Sequence, residues 1–326
     1  MKALICDILG LPEALRIVDA PDPVAAKGEA LVEVSHAALN FFDLLLIAGK
    51  YQVKPALPFS PAGEFSGRIA GLGPGAGGFA VGQRVCGYAG YGCAREKLAL
   101  PAANLFAIPD DLSLDKASGL SITYGTTMHA FRQRGDLKAG ETLVVLGASG
   151  GVGLAAVELG AEMGARVIAC ASSDDKLAFA RKMGAHETIN YASGDLGGEL
   201  KRLTGERGVD VVYDPVGGAL TEVALRRLGW KGRLLVIGFA SGEIPKPPLN
   251  LALLKGCDIR GVFWGDFIRR EPDANRANME AIIALAAGGA ISGHVHAALP
   301  LEDFREAFAL IARREALGKV LLRLGV

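Results

Sequence analysis

The sequence predicts an α/β protein in which a doubly wound parallel sheet is joined to a β-rich domain split in sequence. Up to near residue 120, short β-branched or alternating runs (Ala30 to Ser35, Ser66 to Ala70, Gln83 to Tyr88) are separated by Gly/Pro turns such as Gly71 to Gly78, an all-β texture. From Thr142 onward, apolar runs the length of strands alternate with helical periodicity, the pattern of a doubly wound sheet. At 326 residues the chain is long enough for two domains.

The elements follow in order. Thr142 to Leu146 is an uninterrupted apolar run and reads as a buried strand. Val152 to Met163 reads as a helix stopped by Gly164, and Arg166 to Ala171 as a second buried strand, which completes a βαβ unit. Helix Ser173 to Met183, strands Glu187 to Asn190 and Val209 to Tyr213, helix Thr221 to Leu228 and strand Arg233 to Ile237 continue the alternation. Ile259 to Phe263 is the candidate last strand, after a loop stiffened by Pro245, Pro247 and Pro248. A helix (Ala277 to Ala287), a strand (His294 to Ala298), the amphipathic stretch Leu301 to Arg314 and a final strand (Lys319 to Leu324) are expected to return to the first domain. The domains are then 1–121 with 266–326, and 122–265.

The run Gly147-Ala148-Ser149-Gly150-Gly151-Val152-Gly153 lies between the first strand and helix of that βαβ unit. Glycines at such a turn let backbone N–H groups approach a pyrophosphate, and the helix N-terminus adds partial positive charge. A dinucleotide is expected there, although Ala148 stands where the first glycine of G-x-G-x-x-G usually is. The nucleotide is read from the end of the second strand, where NAD binders place an acidic residue about 20 residues past the glycines. Here that position is Ala171, followed by Ser172, Ser173 and Lys176, which suit a 2′-phosphate and favour NADPH. Asp174 and Asp175 oppose that choice unless they point away, and Lys176 also reads as a solvated helix residue.

Composition narrows the class. Thirty-five basic residues balance thirty-five acidic ones without a long basic run, so neither nucleic acid nor an anionic membrane is an expected partner. Met1 to Asp7 has too short an apolar stretch for a signal peptide, and no long apolar segment follows; a cytoplasmic location is expected. Five scattered cysteines (Cys6, Cys86, Cys93, Cys170, Cys257) form no C-x-x-C and read as reduced, mostly buried thiols.

The chain resembles the medium-chain dehydrogenase/reductases over essentially its whole length, and within them the zinc-free quinone oxidoreductases, which include the zeta-crystallins. The stretches that carry the resemblance are Asn40-Phe41-Phe42-Asp43, Gly49-Lys50-Tyr51, Pro61-Ala62-Gly63-Glu64-Phe65-Ser66-Gly67, Thr123-Tyr124-Gly125-Thr126-Thr127, Gly150-Gly151-Val152-Gly153 and Asn190-Tyr191. It implies a Rossmann domain plus a β-rich GroES-like domain split in sequence. It also implies that Lys176 and Tyr191, fifteen residues apart, frame the 2′-phosphate. Thr126 would lie near the nicotinamide, and Ala148, Ser149, Gly150, Gly151 and Val152 along the pyrophosphate. Asp214-Pro215-Val216-Gly217-Gly218 would lie on the adenine side, and Ile237-Gly238-Phe239-Ala240 would hold the carboxamide. Phe263 joins this cofactor-binding set, and Lys319, after Gly318, either approaches the cofactor or is a solvated strand end.

By the same alignment, the positions that hold catalytic zinc in zinc-dependent relatives are Asn40, Gly63 and Ile122, which cannot supply three N or S ligands. No metal is expected. Without a Lewis acid, the implied chemistry is hydride delivery to an already electrophilic small molecule, a quinone or an α,β-unsaturated carbonyl. Charge then builds on oxygen and must meet a donor. Tyr51 is the candidate proton donor, by resemblance to enoyl-thioester reductases, and Asn40 the candidate for orienting the acceptor oxygen. An acyl-CoA reductase, with Arg269, Arg270 and Arg276 available for the CoA nucleotide, and a non-catalytic NADPH-binding crystallin remain alternatives. Ile259 to Trp264 is expected at the sheet's far edge, where the resemblance implies a homodimer.

Overall fold

A computed structural model describes residues 1–325. Cα proximity divides them into two units: Met1–Ile122 with Met279–Gly289 and the chain from Gly293 onward, and Thr123–Asn278 with Ala290–Ser292. The chain therefore leaves the nucleotide-fold unit later than the expected residue 266. Residues 266–278 stay with it because Phe267 stacks on His129, with ring centroids 3.8 Å apart, and Asn278 exchanges hydrogen bonds with Gln133.

The first unit is built on a seven-stranded sheet. Its central strand, Glu29–Leu39, pairs antiparallel with Glu64–Leu72, Lys97–Pro101 and Lys319–Arg323. The alternation read from the sequence is why this strand forms: Ala30, Val32 and Val34 are buried while Glu33 between them is exposed. The final strand returns as expected, with Val320 opposite Leu39 and Leu321 opposite Ala38. That register sets Lys319 beside Asn40. The amphipathic stretch becomes a short 3-10 turn, Leu301–Asp303, and a helix, Phe304–Ala312, whose Phe304, Ala307 and Phe308 enter the core with Val34, Phe65 and Ile69.

The second unit carries a six-stranded sheet. Its strands lie side by side as Glu187–Asn190, Arg166–Ala171, Thr142–Leu146, Val209–Asp214, Leu228–Val236 and Asp258–Gly261, every pair parallel. Chain direction across the sheet reverses between Thr142–Leu146 and Val209–Asp214, the switch point where such sheets bind ligands. Thr142–Leu146 is buried at every residue, which explains its continuous apolar run. Helix Gly151–Glu162 packs tightly on the sheet, since a Cβ on Gly160 would stand 2.5 Å from Leu143.

Several element boundaries differ from the sequence reading. The expected helix Thr221 to Leu228 is Ala219–Leu225, because Leu228 pairs with Val209 and extends the next strand to Leu228–Val236. The edge strand stops at Gly261, and Phe263 caps an unanticipated helix, Trp264–Arg270. The later helix starts at Pro272, a residue suited to a first helical turn.

Candidate functional site

In the second unit, the glycine run makes a turn at the end of Thr142–Leu146. Gly147 takes the left-handed conformation, φ 61°, and Gly150 caps helix Gly151–Glu162. The left-handed residue is thus one before the usual first-glycine position, so Ala148 is accommodated there, buried and donating its N–H to the Cys170 carbonyl at 3.1 Å. Gly153 has no such freedom, because a Cβ on it would lie 2.1 Å from the Gly147 oxygen. Gly151 and Val152 occupy the first helical turn, whose N–H groups have no intrahelical acceptor. Ser149 is buried in the turn itself.

The neighbouring turns gather on Asp214. Its Oδ1 accepts from the Val216 and Gly217 N–H groups, both at 2.9 Å, its Oδ2 accepts from the Thr221 hydroxyl, and its carbonyl accepts from Ile237 at 3.0 Å and Gly238 at 3.3 Å. Val216 packs on Gly147, where an added Cβ would meet it at 2.9 Å, and half-exposed Phe239 packs on Gly217. Four of the expected cofactor positions, Val216, Ile237, Gly238 and Phe239, therefore lie around one buried carboxylate that the sequence reading treated only as part of a turn. A second brace was also missed. The Thr127 hydroxyl donates to the Thr123 carbonyl at 2.8 Å and lies 2.9 Å from the Tyr213 hydroxyl, tying the helix that carries buried Thr126 to the sheet. Phe263 is exposed beyond the edge strand.

At the ends of the next two strands, Lys176 Nζ donates to Ser172 Oγ at 3.2 Å, and Ser173 Oγ caps helix Asp174–Lys182 by accepting the Lys176 N–H. The Tyr191 N–H donates to the Ala171 carbonyl at 3.1 Å, so Ser172, Lys176 and Tyr191 share one end of the sheet. Asp174 accepts from Asn190 at 2.8 Å, which engages one of the two carboxylates that opposed a phosphate there.

The first unit holds a buried polar cluster. Lys319 Nζ donates to the Leu39 carbonyl at 2.9 Å, Asn40 Oδ1 at 2.7 Å and Glu64 Oε1 at 2.8 Å. These account for all three ammonium protons, so Lys319 is here neither a solvated strand end nor a free contact for the cofactor. Asn40 Nδ2 donates to Glu64 Oε1 at 3.0 Å and to the Ala38 carbonyl at 3.4 Å, and Glu64 Oε2 accepts the Ile122 N–H at 2.8 Å. Asn40, expected to face an acceptor, is thus also part of an internal network.

Next to it, fully buried Asp43 accepts from the N–H groups of Asn40 at 2.8 Å and Ala62 at 2.9 Å. Burial outweighs these bonds and pushes its carboxyl up to about 7. Tyr51 is half-buried, its ring stacked on Phe42 with centroids 5.3 Å apart. Burial, and then the charge of Asp43, raise its pKa above the ordinary phenol value. The zinc donor set does not fit: Gly63 has no side chain, and a Cβ on it would meet Phe42, the Gly90 oxygen and Ile122 within 3.0 Å. Among the described residues, no group of three or more His, Cys, Asp or Glu is arranged to hold a metal ion.

A GroES-like sheet and a parallel nucleotide fold in one chain define the medium-chain dehydrogenase/reductases. Residues 26–110 match the alcohol dehydrogenase GroES-like domain, and residues 151–285 match the zinc-binding dehydrogenase family. The chain is 36% identical to quinone oxidoreductase-like protein 2 of Rattus norvegicus over 99% of this chain and 92% of that one. A probable oxidoreductase from Mycobacterium abscessus superposes with TM-score 0.89 at 33% identity, covering 99% of this chain and 98% of that one. Escherichia coli quinone oxidoreductase complexed with NADPH superposes with TM-score 0.92 at 27% identity, covering 99% and 100%. The chain belongs to the quinone oxidoreductase-like branch of the medium-chain dehydrogenase/reductase superfamily and is an oxidoreductase.

Proposed function

We propose that this protein is an NADPH-dependent reductase that delivers hydride to quinones or α,β-unsaturated carbonyls without zinc. The observation that carries the reading is the glycine turn at the sheet's switch point together with the Lys176–Ser172 pair at the strand end where an NAD binder would place a carboxylate. The NADPH named in the E. coli structure supports it. Bound NADPH supplies the hydride. This chain's part is to cradle the pyrophosphate on the first turn of helix Gly151–Glu162 and the 2′-phosphate on Ser172, Ser173, Lys176 and Tyr191.

The acceptor oxygen gains charge as it is reduced, and Tyr51 is the group we assign to protonate it. Its raised pKa keeps the phenol protonated at neutral pH. An electrophilic acceptor is favoured because the Asn40, Gly63 and Ile122 positions offer no ligand set for a Lewis acid. Purified protein with NADPH and a small ortho-quinone should turn over rapidly, and Tyr51→Phe should lower kcat by about a hundredfold. An unchanged Tyr51→Phe rate would remove Tyr51 from the reaction. Turnover of crotonyl-CoA alone would reassign the protein to the enoyl-thioester reductases, and tight NADPH binding without turnover would favour a crystallin-like role.

We also propose a homodimer. Edge strand Asp258–Gly261 pairs on one side with Leu228–Val236; exposed Ile259 lies on it, exposed Leu253 and Leu254 on the helix just before it, and exposed Trp230 on the neighbouring strand. Sedimentation at micromolar concentration should give twice the chain mass. A cytoplasmic location is in keeping with five free, buried cysteines. Among the described residues, no helix is long and apolar enough to cross a membrane.

A further inference from the structure

We propose that Lys319 and Glu64 form a positioning pair that locks the orientation of the Asn40 carboxamide, so that its N–H, and not its carbonyl, is what an acceptor oxygen meets. The inference rests on the reading of Asn40 as the group that orients the acceptor.

Three features of the first unit carry it. An ammonium only donates and a carboxylate only accepts. The Asn40 atom 2.7 Å from Lys319 Nζ must therefore be the oxygen, and the atom 3.0 Å from Glu64 Oε1 must be the nitrogen. Flipping the amide would set donor against donor and acceptor against acceptor. The second Asn40 amide proton has only the long 3.4 Å bond to the Ala38 carbonyl, so it is the one an acceptor oxygen can draw away.

Glu64 cannot be replaced in this role by its amide. Its two oxygens serve three donors: Lys319 and Asn40 on Oε1, and the Ile122 N–H on Oε2 at 2.8 Å. A glutamine has one oxygen, so it would leave one of these donors facing an NH2 group.

The lysine stem has its own slot. A Cβ on Gly119 would meet Lys319 Cγ at 2.7 Å, Cε at 3.1 Å and Cδ at 3.3 Å. Gly119 has φ −99°, which any residue adopts, so it is the passing lysine and not the backbone that calls for glycine. Nor is the pair needed to join the strands, because Val320 and Leu321 already pair with Leu39 and Ala38 through the backbone ladder. A buried ion pair is a weak source of stability, and a defined geometry is what it best provides.

The test uses the full chain with two changes: the double variant Lys319→Met/Glu64→Gln, which removes both charges together, and Gly119→Ala, which keeps them and crowds the lysine stem. Selective 15N-asparagine labelling reads Asn40 directly, its side-chain signals being identified by their loss in Asn40→Ala. In the wild type its two amide protons should give separate, persistent signals; in both variants these should shift and broaden as the amide reorients. With NADPH and the ortho-quinone, kcat should fall about tenfold or more while the NADPH dissociation constant stays within about twofold. Folded variants with unchanged Asn40 signals would overturn the proposal. So would a loss of kcat that only tracks the loss of folded protein. If wild-type protein reduced no quinone or enone while the signals still shifted, the lock would stand and the proposed function would fall.

Discussion

The two polar clusters of this protein are built on opposite principles. The Asn40–Glu64–Lys319 cluster is buried and closed, with both Glu64 oxygens and all three lysine protons engaged inside the protein. The Ser172–Lys176 cluster lies at a strand end with Ser172 exposed, and a single side-chain bond of 3.2 Å holds the lysine. A closed cluster fixes geometry and is destabilising when broken, whereas an open one exchanges a weak internal bond for a ligand at little cost. Substitutions in the first should therefore act both on stability and on the orientation of Asn40, and in the second mainly on cofactor choice.

The sharpest break in that comparison is Glu64→Ala. It leaves a buried ammonium without its carboxylate and should destabilise the fold by about 3–5 kcal/mol in a urea titration. A loss below about 1 kcal/mol would show that the cluster is not closed.

Asp43 sharpens the comparison through pH. Its folded pKa of about 7 lies above the unfolded carboxylate value, so the native state holds the proton more tightly than the unfolded chain. That contribution is present below the unfolded pKa and is lost as pH rises through the folded one, between about pH 4 and pH 7. Asp43→Asn, which keeps a single acceptor for the two N–H groups of Asn40 and Ala62, should flatten this part of a stability–pH curve measured by denaturant midpoints. A curve of unchanged slope would count against the raised carboxyl.

Gly153→Ala forces a methyl group toward the Gly147 oxygen, 2.1 Å from the ideal Cβ position. Fluorescence titration should show NADPH affinity reduced about tenfold or more as the turn opens. Lys176→Ala should give the smallest change: about a tenfold loss of preference for NADPH over NADH, with unfolding free energy changed by less than about 0.5 kcal/mol. A large stability loss there would make the second cluster closed as well.

Much of the nucleotide fold was legible because its strands are short apolar runs bounded by glycines and its helices have clear stops. Thr142–Leu146, Arg166–Ala171 and Glu187–Asn190 fall where the sequence puts them. Helix Leu120–His129 was not legible, since a segment rich in Ser, Thr and Gly that is buried around most of its circumference shows no apolar stripe. The six-residue π-helical stretch after it, Ala130–Gly135, left no sequence signal either. Tyr213 likewise reads from sequence as one more apolar strand residue, and only the fold brings its hydroxyl to Thr127.

The sequence by itself determined the alternation of strands and helices, the glycine turn with its helix N-terminus, the lack of an acidic residue at Ala171 and the residue types at Asn40, Gly63 and Ile122. These are local properties of spacing and residue type. Tertiary structure alone decided the state of Lys319. Its neighbours Asn40 and Glu64 lie hundreds of positions away, and only the antiparallel register of Val320 with Leu39 brings them together. Burial then turns a lysine at a strand end into a charge held by three oxygens, because an ammonium withdrawn from water must find every partner inside the protein.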